Sequence, residues 1–224
     1  MNRAAFLIPI LAVGLLAGCT RYPTPEQFLA KRGIATPDET HFVICHGFGC
    51  TFHSEVSLTE AEWAQVTTPL HPPASDPAGE RRQIGRAVAL FEQIVGRKTG
   101  TDTDKGGLSH IAAGDPTQLD CIDETTNTTT YLTLLHGHGL LRWHRVGQPA
   151  SRGFFLDGRW YHESAVLLEQ ASGAEFAIDS WVGDNGEPPV IMPLEQWQWT
   201  WGAWGGDTKS AQQTPAPTDP TAPL

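Results

Sequence analysis

Three residues of this chain, Cys121, His162 and Asp179, have the types and the order that thiol acyl transfer requires. A thiolate attacks an acyl carbonyl, an imidazole moves the proton, and a carboxylate fixes the orientation of the imidazole. Cys121 follows Asp120 at the start of an expected helix, where unpaired backbone N–H groups and the helix dipole favour a negative sulfur. His162 and Asp179 fall on two expected strands joined by a turn at Ala171 to Gly173, so the hairpin sets them roughly level. Asp120, Asp123 and Glu124 act against this chemistry, because negative charge beside Cys121 disfavours the thiolate unless an imidazolium is adjacent. Gln118 offers a side-chain amide to an oxyanion. The structural alternative is a buried core thiol with no reactivity; disulfide and metal roles stay open as well.

This order of helix-Cys, strand-His and strand-Asp resembles the core of the transglutaminase-like branch of the papain-like superfamily. The resemblance spans residues 80–182. It implies an α+β fold, with Cys121 as nucleophile, His162 as base and Asp179 as the residue that orients the base. The implied activity is that of a cysteine peptidase, amidase or transglutaminase-like enzyme, with no cofactor. The rival class is a non-catalytic binding or assembly module on the same fold.

A second group, His41, Cys45, His46, Cys50 and His53, gathers five potential ligands in a short stretch. The spacing matches no standard zinc finger. An oxidising compartment favours a Cys45–Cys50 disulfide, closed over Gly47 and Gly49, while metal binding and free thiols remain alternatives. No metal is assigned.

The compartment follows from the N-terminus. Met1-Asn2-Arg3, an apolar run from Ala4 to Ala17, and Gly18-Cys19 have the pattern of a secretory signal too short to span a membrane. Leu16-Ala17-Gly18-Cys19 resembles the lipobox of bacterial lipoproteins. That resemblance implies cleavage before Cys19 and acylation of its thiol, palmitate included. The domain would then be held at a membrane by its lipid and lie in the periplasm of the cell envelope. Thr20 rather than Asp after the cysteine favours the outer over the inner membrane under enteric-type sorting. From compartment alone, the substrate class is a peptide or a peptidoglycan-linked amide.

The elements that must position these residues are legible from pattern. Residues 1–18 are the signal peptide and 19–40 a Pro-punctuated tether around a short polar helical stretch. Residues 41–204 form one globular domain, and 205–224 a Pro/Thr/Ala-rich tail whose composition suits disorder. A strand-turn-strand is expected over His41 to Val56. The capping box Thr59 to Glu62 opens a helix through Val66. Ile84, Val88, Phe91 and Val95 recur at helical spacing over Glu80 to Val95, with Gly96 as the stop. A further helix runs from Asp120 to about Leu135 despite its Thr-rich centre. Strands follow at Leu140–Val146, Gly153–Leu156, Trp160–Leu168 and Glu175–Trp181, with turns at Asp157-Gly158 and Ser172-Gly173. Trp197, Trp199, Trp201 and Trp204 cluster before the tail, to cover a core edge or stack sugars. Helices followed by an antiparallel sheet make an α+β fold.

Composition sets the outer bounds. The 224 residues suffice for a substantial core, and eight Trp and nine Phe require one. A net charge of -10 argues against nucleic-acid binding, which needs concentrated Lys and Arg. Four cysteines divide into one for lipid, two for each other and Cys121 left over, and an odd thiol in an exported protein calls for an explanation.

Overall fold

The computed structural model describes residues 24–107, 113–153 and 161–199. Cys19, the lipobox, the Asp157-Gly158 turn, most of the expected Gly153–Leu156 strand, Trp201, Trp204 and the tail lie outside these residues. The architecture is α+β with antiparallel sheets, as the sequence pattern predicts.

Its axis is helix α4 (Cys121–Gly137), in which every residue from Asp123 to Leu135 is buried. A helix this enclosed cannot leave its polar side chains to water, and the threonine run meets that constraint within the helix. The hydroxyls of Thr126, Thr129, Thr130 and Thr133 donate to the carbonyls four residues earlier, at 2.6–3.0 Å. Back-bonding of this kind satisfies the hydroxyl while the methyl packs outward, so tertiary burial overrides the poor helix propensity of threonine.

Helix α3 (Pro77–Thr99) packs beside α4, where the Phe91 and Tyr131 rings stack at 4.7 Å. It is longer than its hydrophobic period suggests. Asp76 caps it with a 2.6 Å bond to the Gly79 N–H, and Pro77 takes the first position. Gly96 does not end the helix; the left-handed Gly100 does. Gly96 is a close-approach position, where a Cβ would meet Asp102 Cα and Asn185 Oδ1 at 3.0 Å.

The main sheet carries β3 (His144–Val146), β5 (His162–Glu169), β6 (Glu175–Asp179) and β7 (Val190–Pro193) in the order β3-β5-β6-β7, with β4 (Ala150–Arg152) paired to the start of β5. Glu80 on α3 holds one sheet corner: its carboxylate accepts the N–H groups of Arg142, Trp143 and His144 and bonds His144 Nδ1 at 2.7 Å. On the other side of α4 lie hairpin strands β1 (Phe42–His46) and β2 (Phe52–Val56) and helix α1 (Pro25–Lys31). Asn127 of α4 clasps β1, accepting from the Cys45 N–H at 2.8 Å and donating to the Cys45 carbonyl at 2.9 Å. Within the segment read as a tether, α1 and the residues after it bury Leu29 and Ile34. Helix α2 (Glu60–Thr67) follows the hairpin on its expected capping box, and α5 (Leu194–Trp199) carries part of the tryptophan cluster. Trp197 is buried and Trp199 is 70% exposed.

Candidate active site

Cys121 is the first residue of α4. The preceding Asp120 caps the helix, its Oδ1 accepting the N–H groups of Ile122 at 3.0 Å and Asp123 at 2.9 Å. The Asp120 N–H in turn donates to the Asp123 carboxylate at 3.1 Å, which completes a reciprocal capping box. Asp120 and Asp123 thus define the helix start on which the thiol stands.

His162 opens β5 and Asp179 closes β6. The two strands pair with Ala165 opposite Ile178, so the register brings the histidine and the aspartate to one end of the sheet. His162 Nε2 bonds Asp179 Oδ2 at 2.7 Å, with both side chains buried. The Glu163 backbone N–H is near enough to the Cys121 sulfur to favour its charged form, which sets the thiol beside the residue that follows His162. Of the three residues singled out by type and order, His162 and Asp179 are bonded to each other, and Cys121 lies beside Glu163, next in the chain to His162. Because Nε2 is committed to the aspartate, Nδ1 is the ring nitrogen left to exchange a proton with a thiol.

The electrostatics differ between the two ends. Burial alone would raise the pKa of Asp179, but the His162 ring, the Trp197 indole N–H and the Arg152 guanidinium together hold it below the ordinary value. The carboxylate is thus fit to stabilise an imidazolium. At Cys121, burial pushes the thiol up to about 12, with Asp120, Glu163 and Asp179 adding repulsion and the Glu163 N–H acting the other way. The resting group is a neutral thiol, and chemistry through this sulfur would need a base such as His162 to take its proton.

Several contributors escaped sequence reasoning. Trp197 Nε1 donates to the same Asp179 Oδ2 at 2.8 Å, and its ring lies 5.5 Å from that of His162. Trp181 lies 4.8 Å from the His162 ring. The His162–Asp179 bond is consequently enclosed by indole surface, which keeps water from competing for it. Arg152 stacks on Trp197 at 4.3 Å and donates to its carbonyl. Glu163 forms a 2.8 Å salt bridge with Arg32 and accepts from the Tyr161 hydroxyl, so the stretch just after α1 reaches the site. The spacing of Trp197 within its cluster hinted at packing; nothing in the sequence connected it with Asp179.

Gln118 is nine-tenths buried, and both ends of its amide are engaged elsewhere. Nε2 donates to the Thr103 carbonyl at 3.3 Å, and Oε1 accepts from the Lys105 N–H at 3.1 Å. Glu124 of α4, Glu92 of α3 and Asp104 form a set of enclosed carboxyls. Burial raises Glu92 to about 8 and Asp104 to about 7, and Glu124 is pushed well up by burial and then by the other two acids. Glu92 Oε1 has no hydrogen-bond partner among the described residues.

Cys45 and Cys50 form a disulfide, the pairing expected from the compartment. His53, opposite Cys45 in the hairpin, brings a ring nitrogen within 4.8 Å of both sulfurs. His46 is engaged elsewhere, bonding the Pro116 carbonyl at 2.7 Å and Ser54 Oγ at 2.9 Å. No helix among the described residues is long and apolar enough to cross a membrane. No protein-family model, curated protein or solved structure matches this chain.

Proposed function

We propose that this protein is a lipid-anchored cell-envelope enzyme of the transglutaminase-like type, which transfers or hydrolyses an acyl group through Cys121. The observation that carries this reading is the buried 2.7 Å bond from His162 to Asp179, with Cys121 at the start of α4 near Glu163, the residue after His162. In the first step the sulfur bonds to the carbonyl carbon of an amide and the thiol proton passes to His162. The C–N bond then breaks, and the amine leaves with the proton from His162. Water, or a second amine, attacks the thioester in the next step, giving up its proton to His162 and restoring the thiol. Asp179 stabilises the imidazolium in both steps. The Cys121 N–H, at the helix start without an intrahelical acceptor, is a donor for the oxyanion.

The substrate class that fits the compartment is a peptide or peptidoglycan-linked amide, and the anchor would be acylated Cys19. An activated ester tests the chemistry whatever the natural substrate is. Full-length protein mixed with p-nitrophenyl acetate is expected to release a burst of one equivalent of nitrophenol and to gain one acetyl group on the Cys121 peptide. Cys121→Ala should abolish the burst and His162→Ala should slow it. Acetylation elsewhere, or none, would remove the enzyme reading.

A non-catalytic binding or assembly module on the same scaffold is the second reading. It draws on the pKa of about 12 at Cys121, which suits a quiescent thiol. An unreactive Cys121 in the acetylation experiment is its expected result.

A further inference from the structure

The turn between β1 and β2 has an uncommon backbone. Gly47, Phe48, Gly49 and Cys50 all have positive φ, at 80°, 73°, 66° and 56°. For glycine this region is free of penalty, but for Phe48 and Cys50 it is disfavoured by contact between Cβ and the backbone. Successive left-handed residues turn their N–H groups to one side and form a concave set of donors suited to an anion. Here the anion is supplied by α4. Phe48 N–H donates to Asp123 Oδ2 at 2.7 Å, Cys50 N–H to Asp123 Oδ1 at 2.7 Å, and Gly49 N–H to Asp120 Oδ2 at 3.0 Å. These two carboxylates are the pair that caps α4 in front of Cys121. The Gly47 N–H adds a 2.9 Å bond to the Gln118 carbonyl, on the approach to the same helix start.

We infer that the Cys45–Cys50 disulfide acts as a positioning element for the nucleophile: it pins the left-handed turn whose N–H groups hold Asp123 in the cap and draw Asp120 away from the sulfur, and so sets the reactivity of Cys121. The inference rests on the reading of Cys121 as the nucleophile. Two otherwise separate sequence features, the cysteine pair and the acidic residues around Cys121, then have one explanation. Asp120, whose charge opposes a thiolate at Cys121, is drawn toward the Gly49 N–H, and the disulfide keeps that donor in place. Loss of the disulfide frees the turn to leave the left-handed region, and Asp120, released from the Gly49 N–H, regains its full repulsion toward the sulfur.

The test measures iodoacetamide labelling of the Cys121 peptide in the full-length protein, with circular dichroism to confirm folding. The double variant Cys45→Ala, Cys50→Ala should label about fivefold or more slowly than wild type, because Ala lacks the covalent pin and dislikes positive φ. Cys45→Ala, Cys50→Gly should recover most of the rate, since glycine accepts the Cys50 conformation; a merely stabilising disulfide predicts no such recovery. Gly49→Val gives a second route that keeps the disulfide, since its Cβ would meet nothing within 4 Å and only the backbone is perturbed. It should slow labelling, whereas Gly139→Val, at a left-handed glycine with equally open space beyond the far end of α4, should not. Wild-type labelling rates in the Ala/Ala variant and in Gly49→Val overturn the inference, as does equal slowing in the Gly and Ala double variants. If His162→Ala also labels at the wild-type rate, the enzyme reading itself fails; if His162→Ala is slow while the turn variants are not, only the inference fails.

Discussion

Trp197 donates its indole N–H to Asp179 Oδ2 at 2.8 Å, the oxygen that His162 also binds. The tryptophan is therefore part of the support for the imidazole as well as part of the core. Trp197→Phe removes the donor and keeps most of the ring. A buried hydrogen bond to a charged group contributes about 1.5–3 kcal/mol, and the variant should lose stability of that order in urea unfolding. Cys121 acetylation should slow in parallel.

Asp179→Asn should depress Cys121 acetylation more than Trp197→Phe does, since the negative partner of the imidazolium is gone. The stability effect has a definite pH sign. The folded pKa of Asp179 is lowered, so its ionised form contributes stability above the unfolded value near 3.8 and loses it as pH falls through the lower folded value. Chemical denaturation at pH 7 should thus separate wild type from Asp179→Asn, and the gap should narrow in the acid range below pH 4.

The enclosed carboxyls have the opposite sign. Glu92 and Asp104 are raised to about 8 and about 7, so each costs nothing below its unfolded pKa and loses stability progressively as pH rises toward the folded value. The window runs from about pH 4 to pH 8. Glu92→Gln retains the shape and removes the charge. It should raise the melting temperature relative to wild type at pH 8, with the difference shrinking toward pH 5. A larger difference at pH 5 would contradict this assignment.

Gly96 lies inside α3 with Asp102 Cα and Asn185 Oδ1 each 3.0 Å from where a Cβ would stand. Alanine in a helix interior ordinarily gains about 1 kcal/mol over glycine. Here overpacking against backbone outweighs the gain, and Gly96→Ala should destabilise by about 1–2 kcal/mol in thermal or urea melts. Gly137→Ala, at the end of α4 with open space around it, is the matched comparison and should not destabilise.

A thiol raised to about 12 reports its own protonation. In His162→Ala, with the base removed, alkylation of Cys121 should climb about tenfold per pH unit from 7 to 10 without a plateau. A plateau near pH 8 would indicate an ordinary thiol and a less enclosed sulfur.

Legibility in the sequence depends on whether the signal is local. Asp120 as a helix start, the capping box at Thr59 and the level placement of His162 and Asp179 follow from neighbouring residues, and the elements form where these signals indicate. The far end of α3 departs from its pattern because Gly96 has the signature of a helix stop, while its cause is the close approach of the 102 and 185 loops. The threonine run is poor helical material by propensity, and only enclosure by sheet, hairpin and α3 explains it. At the candidate site, the pairing of His162 with Asp179 is readable from strand order and the turn between them. The bond from Trp197 to Asp179, the salt bridge from Arg32 to Glu163 and the turn clasped to Asp123 join distant segments, and no local pattern encodes them.

The clasp of Asn127 on Cys45 bears on the time course of folding. It joins residues 82 positions apart, while Arg32 and Glu163 are 131 apart. A core dominated by such long loops closes slowly, because chain entropy is lost before the contacts that offset it are made. The first hairpin and α1 cannot complete their burial until α4 arrives, and the His162–Asp179 bond waits for the last strands. Reactivity at Cys121 should therefore be among the final properties gained during refolding, after most of the helical circular dichroism has returned.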